Sequence, residues 1–349
     1  MQNRLVHRAV RLTPDYRYDL EQQVVAAVKD FARAINSGSK GVAEMSALVQ
    51  VTSEPPLSNL EGWERVIRVA FSSVRKPSPW LKWAIWSKPS QPLTWLDLIS
   101  GDGYRREKAL RTLSGAAPNR FFLALAMRRL NDWVPQVRVA ARERLPHLIK
   151  RSNPIQVVDL LCVILPHWHS WGRIEQQDKL GLLESICHQQ MAGAIKSKLI
   201  SSTSGPMLSL LAQVGRTAVL DEYLSEIAEK AVQPWVRAKA YRSQFEGRMV
   251  WVEMHQWQWT DPRYCGGGLR PTVAERTLAI TFPFLATLKQ ASADRSPIVR
   301  RVAAEFLIRE WKTLGEASLP LAKHFASDPS PSVAERGRFV LKKLEASEE

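Results

Sequence analysis

DWVPQVRVAARERL, running from Asp132 to Leu145, carries a helix-start pattern that recurs along the chain. Asp132 closes a turn, and Pro135 falls in a first helical turn, where its missing N–H costs nothing. Val137, Ala140, Ala141 and Leu145, with Leu148 beyond them, then recur at helical spacing. The alanines make that stripe narrow and let a neighbouring helix approach closely. The pattern returns in AVQPWVRAKAYRSQF from Ala231, DRSPIVRRVAAEFL from Asp294 and DPSPSVAERGRFVL from Asp328. A fifth segment, GLRPTVAERTLAI from Gly268, shares Pro, Thr or Ser, Val, Ala, Glu, Arg with residues 331 to 336. GDGYRREKALRTL from Gly101 reads as a further helix start, without Pro and with Arg105 or Arg106 where the others carry Arg138, Arg237 and Arg300.

A helix pair of this kind cannot bury its apolar stripe alone, so consecutive pairs must stack. Spacing agrees: Val137 to Val236 is 99 residues, three intervals of 33, and Val299 to Val333 is 34. The units without a clear signature fall near residues 170 and 203, within SWGRIEQQDKLGLLESICHQQ and SGPMLSLLAQVG. The expected fold class is all-α, a curved α-α superhelix with an irregular helical N-terminal cap. The cap covers residues 1–100 and the solenoid residues 101–349.

The motif resembles the HEAT-repeat family, which places Asp and Pro before a Val-Arg pair and then small residues. The likeness is good at 132–145 and 294–307, partial at 233–245, and departs at Val333 and Val273, where Ala334 and Ala274 replace the Arg. The resemblance implies a structural role for Arg138, Arg237 and Arg300, each pairing with an Asp of a neighbouring turn. Some helical-repeat proteins of similar architecture are DNA glycosylases acting on alkylated bases, which supplies an enzymatic alternative. No Asp with aromatic partners matches that pattern here, so no catalytic residue is assigned.

Helices are expected at 17–36, 41–51, 61–74, 79–86, 92–99, 104–115, 118–131, 135–150, 154–165, 173–190 and 192–200. They continue at 205–214, 218–231, 233–257 with an interruption near Gly247, 271–290, 296–312, 317–326 and 331–346. No alternating apolar run calls for a sheet. The longest apolar stretch, Val157 to Leu165, is broken by Asp159 and is far short of the roughly 20 residues of a membrane span. The start of the chain lacks the apolar run and small-residue cleavage site of a secretory signal, and three scattered cysteines suit a reducing compartment. A cytoplasmic location is the expectation.

The formal charge is +15, with 24 Lys and Arg against 13 Asp and Glu in residues 1–150 and 25 against 21 thereafter. Residues 104–151 carry 12 cations against Glu107, Asp132 and Glu143. Arg105, Arg106, Lys108, Arg111, Arg128, Arg129, Arg142, Arg144 and Arg151 are therefore the residues expected to grip a nucleic-acid backbone or an acidic protein partner. A purely protein-binding scaffold is the runner-up.

Thirteen Trp residues are an unusual load. Trp80, Trp83 and Trp86 recur at helical spacing and offer an aromatic contact face, or packing between cap and solenoid. Trp251, Trp257 and Trp259, with His255, read as core or groove lining. Cys162, His167, His169, Cys187 and His188 have metal-ligand chemistry without a recognised zinc spacing, and GGG at 266–268 lacks the Lys and Ser or Thr of a phosphate loop. Neither metal nor cofactor is expected.

Overall fold

The computed structural model describes residues 14–36, 45–74 and 93–348, apart from residues 167, 187, 262, 264 and 265. Over these residues the chain is predominantly helical, with one two-stranded antiparallel sheet. No helix among them is long and apolar enough to cross a membrane. The helix expected at 79–86, with Trp80, Trp83 and Trp86, lies outside the described residues.

The chain divides into two compact units. The first contains α1 (Pro14–Asn36), α2 (Ser46–Thr52), α3 (Leu60–Val74), α4 (Gly103–Thr112), α5 (Arg120–Arg128), α6 (Pro135–Arg151) and nearly all of α7 (Pro154–Ile164) and α8 (Gln176–Ile186). Its centre is α5, in which every residue from Phe121 to Met127 is buried. A helix apolar all round must be enclosed on all sides, and α3, α6 and the turn Trp95–Ile99 pack on it. Asn119 caps α5 by accepting from the Phe121 and Phe122 amides, while its Nδ2 donates to Val49 O and Thr52 Oγ1, both at 2.9 Å. One side chain thus starts the central helix and ties α2 to it.

The second unit contains α9 (Gln189–Ser201), α10 (Met207–Val214), α11 (Leu224–Lys230), α12 (Pro234–Glu246), α13 (Phe284–Ser292), α14 (Pro297–Leu314), α15 (Ser318–Ala326) and α16 (Pro331–Glu348). The sheet strands β1 (Arg248–Asp261) and β2 (Gly266–Thr277) lie between α12 and α13. The Pro-started helices α12, α14 and α16 pack in succession, with α11, α13 and α15 against them. Phe245 of α12 stacks on Phe306 of α14 at 4.6 Å between centroids and tilts against Phe284 at 5.3 Å.

A repeated staple locks both units. Arg106, Arg237 and Arg300 each make a two-pronged bond to the Asp that opens the next Pro-type or Arg-bearing turn: Asp132, Asp294 and Asp328 respectively. Each guanidinium also donates Nη1 to the carbonyl six residues upstream, at 2.7 Å for Ser100, 2.7 Å for Ala231 and 2.8 Å for Asp294. Each Asp in turn accepts the amide two residues on, from Val134, Ser296 and Ser330. The Asp residue therefore ends one turn, presets the next helix and holds the preceding one. Arg138 follows half of the rule, donating to Asp132 O at 3.1 Å, while Arg142 of the same helix pairs with Asp178 and Glu175.

The predominantly helical class stands, but the sheet corrects the expectation that none is needed and the helices placed across 248–257 and 271–277. Gly247 adopts φ +63°, a left-handed conformation that stops α12. The segment after it is rich in strand formers, including Val250, Trp251, Val252, Trp257, Trp259 and Thr260, and Pro271 stands inside the return segment. The string shared by 271–276 and 331–336 is consequently a strand in one place and the first turns of α16 in the other.

Candidate interaction surfaces

Folding changes the charge picture of residues 104–151. Five acids from outside that stretch enter it: Asp97 binds Arg105, Glu61 and Glu64 bind Arg128, Glu64 also binds Arg129, and Glu175 and Asp178 bind Arg142. Arg111 joins Glu107 and Glu143, while Arg144 donates to Leu113 O. Arg106 and Arg129 are only 2% and 6% exposed and meet at Asp132, so they belong to the framework and leave the set of ligand contacts. Lys108, Lys150 and Arg151 remain exposed. The local excess shrinks because carboxylates distant in sequence converge on the same helices.

Burial by itself would raise the Asp132 pKa, but the Arg106 hydrogen bond, the Val134 amide and the charges of Arg129 and Arg106 outweigh it and hold the carboxyl below its ordinary value.

The same framework displays aromatic rings at one edge. Tyr104 is 86% exposed and Trp133 67% exposed. They begin α4 and precede α6, and the two loops touch: a Cβ placed on Gly103 would lie 2.9 Å from Val134 Cγ2. The Arg106 guanidinium, fixed by Asp132, sits 5.7 Å from the Trp133 ring centroid and holds that ring from beneath. Arg105 and Lys108 follow on α4. The sequence reading of this segment rested on its charges and made no assignment for Tyr104 or Trp133, whose exposure is decided by packing.

In the second unit the β-ribbon is anchored at its root. Met249 is fully buried, and Gly215 leaves room for it, since a Cβ there would meet Met249 Cγ at 2.7 Å. Arg276 holds Asp221 through Nη1 at 2.9 Å and Nη2 at 2.6 Å and donates to the carbonyls of Gly215 and Thr217. Lys239 Nζ donates to Val250 O at 2.6 Å, and Gln213 and Arg216 reach Val252 O. The Arg216 guanidinium lies between the Trp168 and Trp251 rings at 5.5 and 5.4 Å. Burial lowers the pKa values of both Lys239 and Arg216, against the weaker pull of Glu246 and Glu253.

Beyond the root the ribbon is exposed. Its register pairs Val252 with Val273, Trp257 with Leu269 and Trp259 with Gly267. Cross-strand partners share a face, so Val252, Trp257, Trp259, Leu269, Pro271 and Val273 form one apolar stripe. Trp257 and Trp259 are 52% and 58% exposed and meet edge to face at 5.7 Å. These rings do not line a core or groove, as their sequence suggested. Gly267 is required beneath them, because a Cβ would lie 2.7 Å from Trp257 Nε1.

Among the described residues no group of three or more His, Cys, Asp or Glu is placed to hold a metal ion. His167 and Cys187 lie outside those residues. A shallow cleft between α6 and α8 is closed at its polar end by the Arg142–Asp178 pair. No family model, curated protein or solved structure matches the chain.

Proposed function

We propose that this chain is a non-enzymatic scaffold, a HEAT-like curved stack of helix pairs that holds an acidic partner protein on the edge shared by α4 and the start of α6. The observation that carries the reading is the pair Tyr104 and Trp133, large exposed aromatic side chains whose chain neighbours Gly103 and Val134 lie against each other. Trp, Tyr and Arg dominate protein-binding hot spots because they bury much area at little entropic cost. The exposed Lys108 follows Tyr104 on α4, and the net charge of +15 favours the approach of an acidic surface. The Arg-Asp staples support the solenoid part of the proposal, since they recur with the repeat and fix successive helices in one orientation.

The rival partner, a nucleic-acid backbone, is supported less. Phosphate binding needs cations free to replace counterions, and most guanidinium groups of residues 104–151 are spent on carboxylates or backbone carbonyls.

The test is affinity capture with the intact chain and with the double variant Tyr104→Ala, Trp133→Ala, alongside oligonucleotide titration at low salt. A stoichiometric acidic protein should be recovered, with affinity reduced at least 30-fold by the double variant at an unchanged melting temperature, taking about 2 kcal/mol for a hot-spot loss. Duplex binding whose logarithm falls with log salt at a slope of roughly −4 or steeper, with no such protein recovered, would overturn the assignment.

A further inference from the structure

We propose that the open edge of β1 pairs with the β1 edge of a second copy of this chain, joining two ribbons into one four-stranded antiparallel sheet across a two-fold axis. This inference stands on the second unit and is independent of the partner surface on α4 and α6.

Which backbone groups point outward is set by the ladder. Leu278 N donates to Gly247 O at 2.9 Å, and Val250 O and Val252 O accept from Lys239, Gln213 and Arg216 at the outer side of β1. Alternate pairs therefore bond inward, and the pairs Val250–Glu275 and Val252–Val273 direct their backbone groups outward. On β2 the alternation continues unbroken, so Pro271, Leu269 and Gly267 face outward as well, opposite His255, Trp257 and Trp259.

The two edges then differ. On β2 the outward position 271 is proline, which has no N–H and blocks an added strand. On β1 the root is covered by Lys239, Gln213 and Arg216, but from His255 to Trp259 no hydrogen bond among the described residues takes up the outward amides and carbonyls. One open and one blocked edge permit association that closes at two copies instead of growing into a fibre.

Charge and area both point to a second copy as the occupant. Residues 253–270 contain Glu253, Asp261, Arg263 and Arg270, two charges of each sign, so the repulsion between two chains of +15 is not concentrated there. A β1–β1 pairing brings the Trp257 and Trp259 rings of both copies onto one continuous apolar face. Four half-exposed Trp side chains supply about 400 Å² and the two paired β1 edges add to it, enough for a weak contact between copies although below the roughly 1,000 Å² of a stable specific interface. The expected dimer is therefore weak, with a Kd on the order of 10 µM.

The experiment is sedimentation velocity of the full chain from about 1 to 100 µM, with hydrogen exchange read at both ends of that range. The wild type should pass from monomer to dimer, and the amides of Trp257 and Trp259 should gain protection only at the high concentration. His255→Pro removes an outward N–H without touching the β1–β2 ladder and should raise the Kd at least 10-fold. Pro271→Thr opens the second edge and should extend assembly past the dimer. A monomer at every concentration, or a dimer in which residues 255–259 exchange as fast as in the monomer, overturns the proposal. Because the exchange measurement uses the wild type, misfolding of either variant leaves the test intact.

Discussion

Replacing Asp132 by alanine should lower stability by about 3–5 kcal/mol, the cost of stranding buried cations without their carboxylate. Asp132 is 6% exposed and receives Arg106 at 2.8 and 2.9 Å and Arg129 at 3.1 Å, two guanidinium groups that are themselves buried. The substitution also removes the acceptor for the Val134 amide at the start of α6. Glu64 would be left as the acidic partner of Arg129, and Arg106 would keep only the carbonyls of Ser100 and Gly101. Equilibrium denaturation by urea should show the midpoint falling with little change in slope, because the surface exposed on unfolding is the same. A loss below about 1 kcal/mol would mean that the staple contributes register and not stability.

The same carboxyl makes an acid-side prediction. Its folded pKa lies below the ordinary 3.8, so its contribution is fully present above that value and is lost as pH falls through the folded pKa. Asp328 acts in the same sense, its pKa lowered chiefly by the Arg300 hydrogen bond. Stability should therefore drop steeply below pH ~4, and Asp132→Asn should flatten that drop, as followed by circular dichroism.

The helices were legible because their starts are written in local chemistry. Pro at the first turn, Asp three residues before it and the Val-Ala stripe after it specify α6, α14 and α16 without reference to the rest of the chain. The pairing partners were not legible, since Asp97, Glu64 and Asp178 reach residues 104–151 only through tertiary packing. A count of charge in a window treats them as absent. The charges of residues 104–151 were legible but not the carboxylates that the fold sets against them, and nothing in the motif marks Tyr104 and Trp133, which the fold leaves exposed.

The sharpest failure of local reading is the pair PTVAERT at 271–277 and PSVAERG at 331–337. The first is strand β2 and the second opens α16, although six of seven positions agree or interchange Thr with Ser. Context decides: the first copy has the complementary strand β1 beside it, and Arg276 is drawn to Asp221. In the second copy Asp328 caps the segment and Arg300 holds Asp328. The seventh residue records the outcome, with a β-branched Thr277 in the strand and Gly337 in the helix.

Gly337 supplies the second large effect. Gly337→Ala should destabilise the chain by roughly 1–3 kcal/mol, although glycine to alanine inside a helix ordinarily gains up to about 1 kcal/mol. A Cβ at 337 would lie 2.6 Å from Phe325 C and 2.8 Å from Ala326 Cα. Those are backbone atoms of α15, so no side chain can swing aside; α15 and α16 would have to separate along a contact that buries Phe325 and Val340. Gly193, in α9, is the matched control, because a Cβ there meets nothing within 4 Å. Gly193→Ala should raise the melting temperature through the unfolded-state entropy alone, while Gly337→Ala lowers it. Opposite signs from one chemical change in two helices would locate the close approach of α15 and α16. Equal gains at both positions would show that the two helices do not touch at Gly337, and the packing order of the last three helices would have to be redrawn.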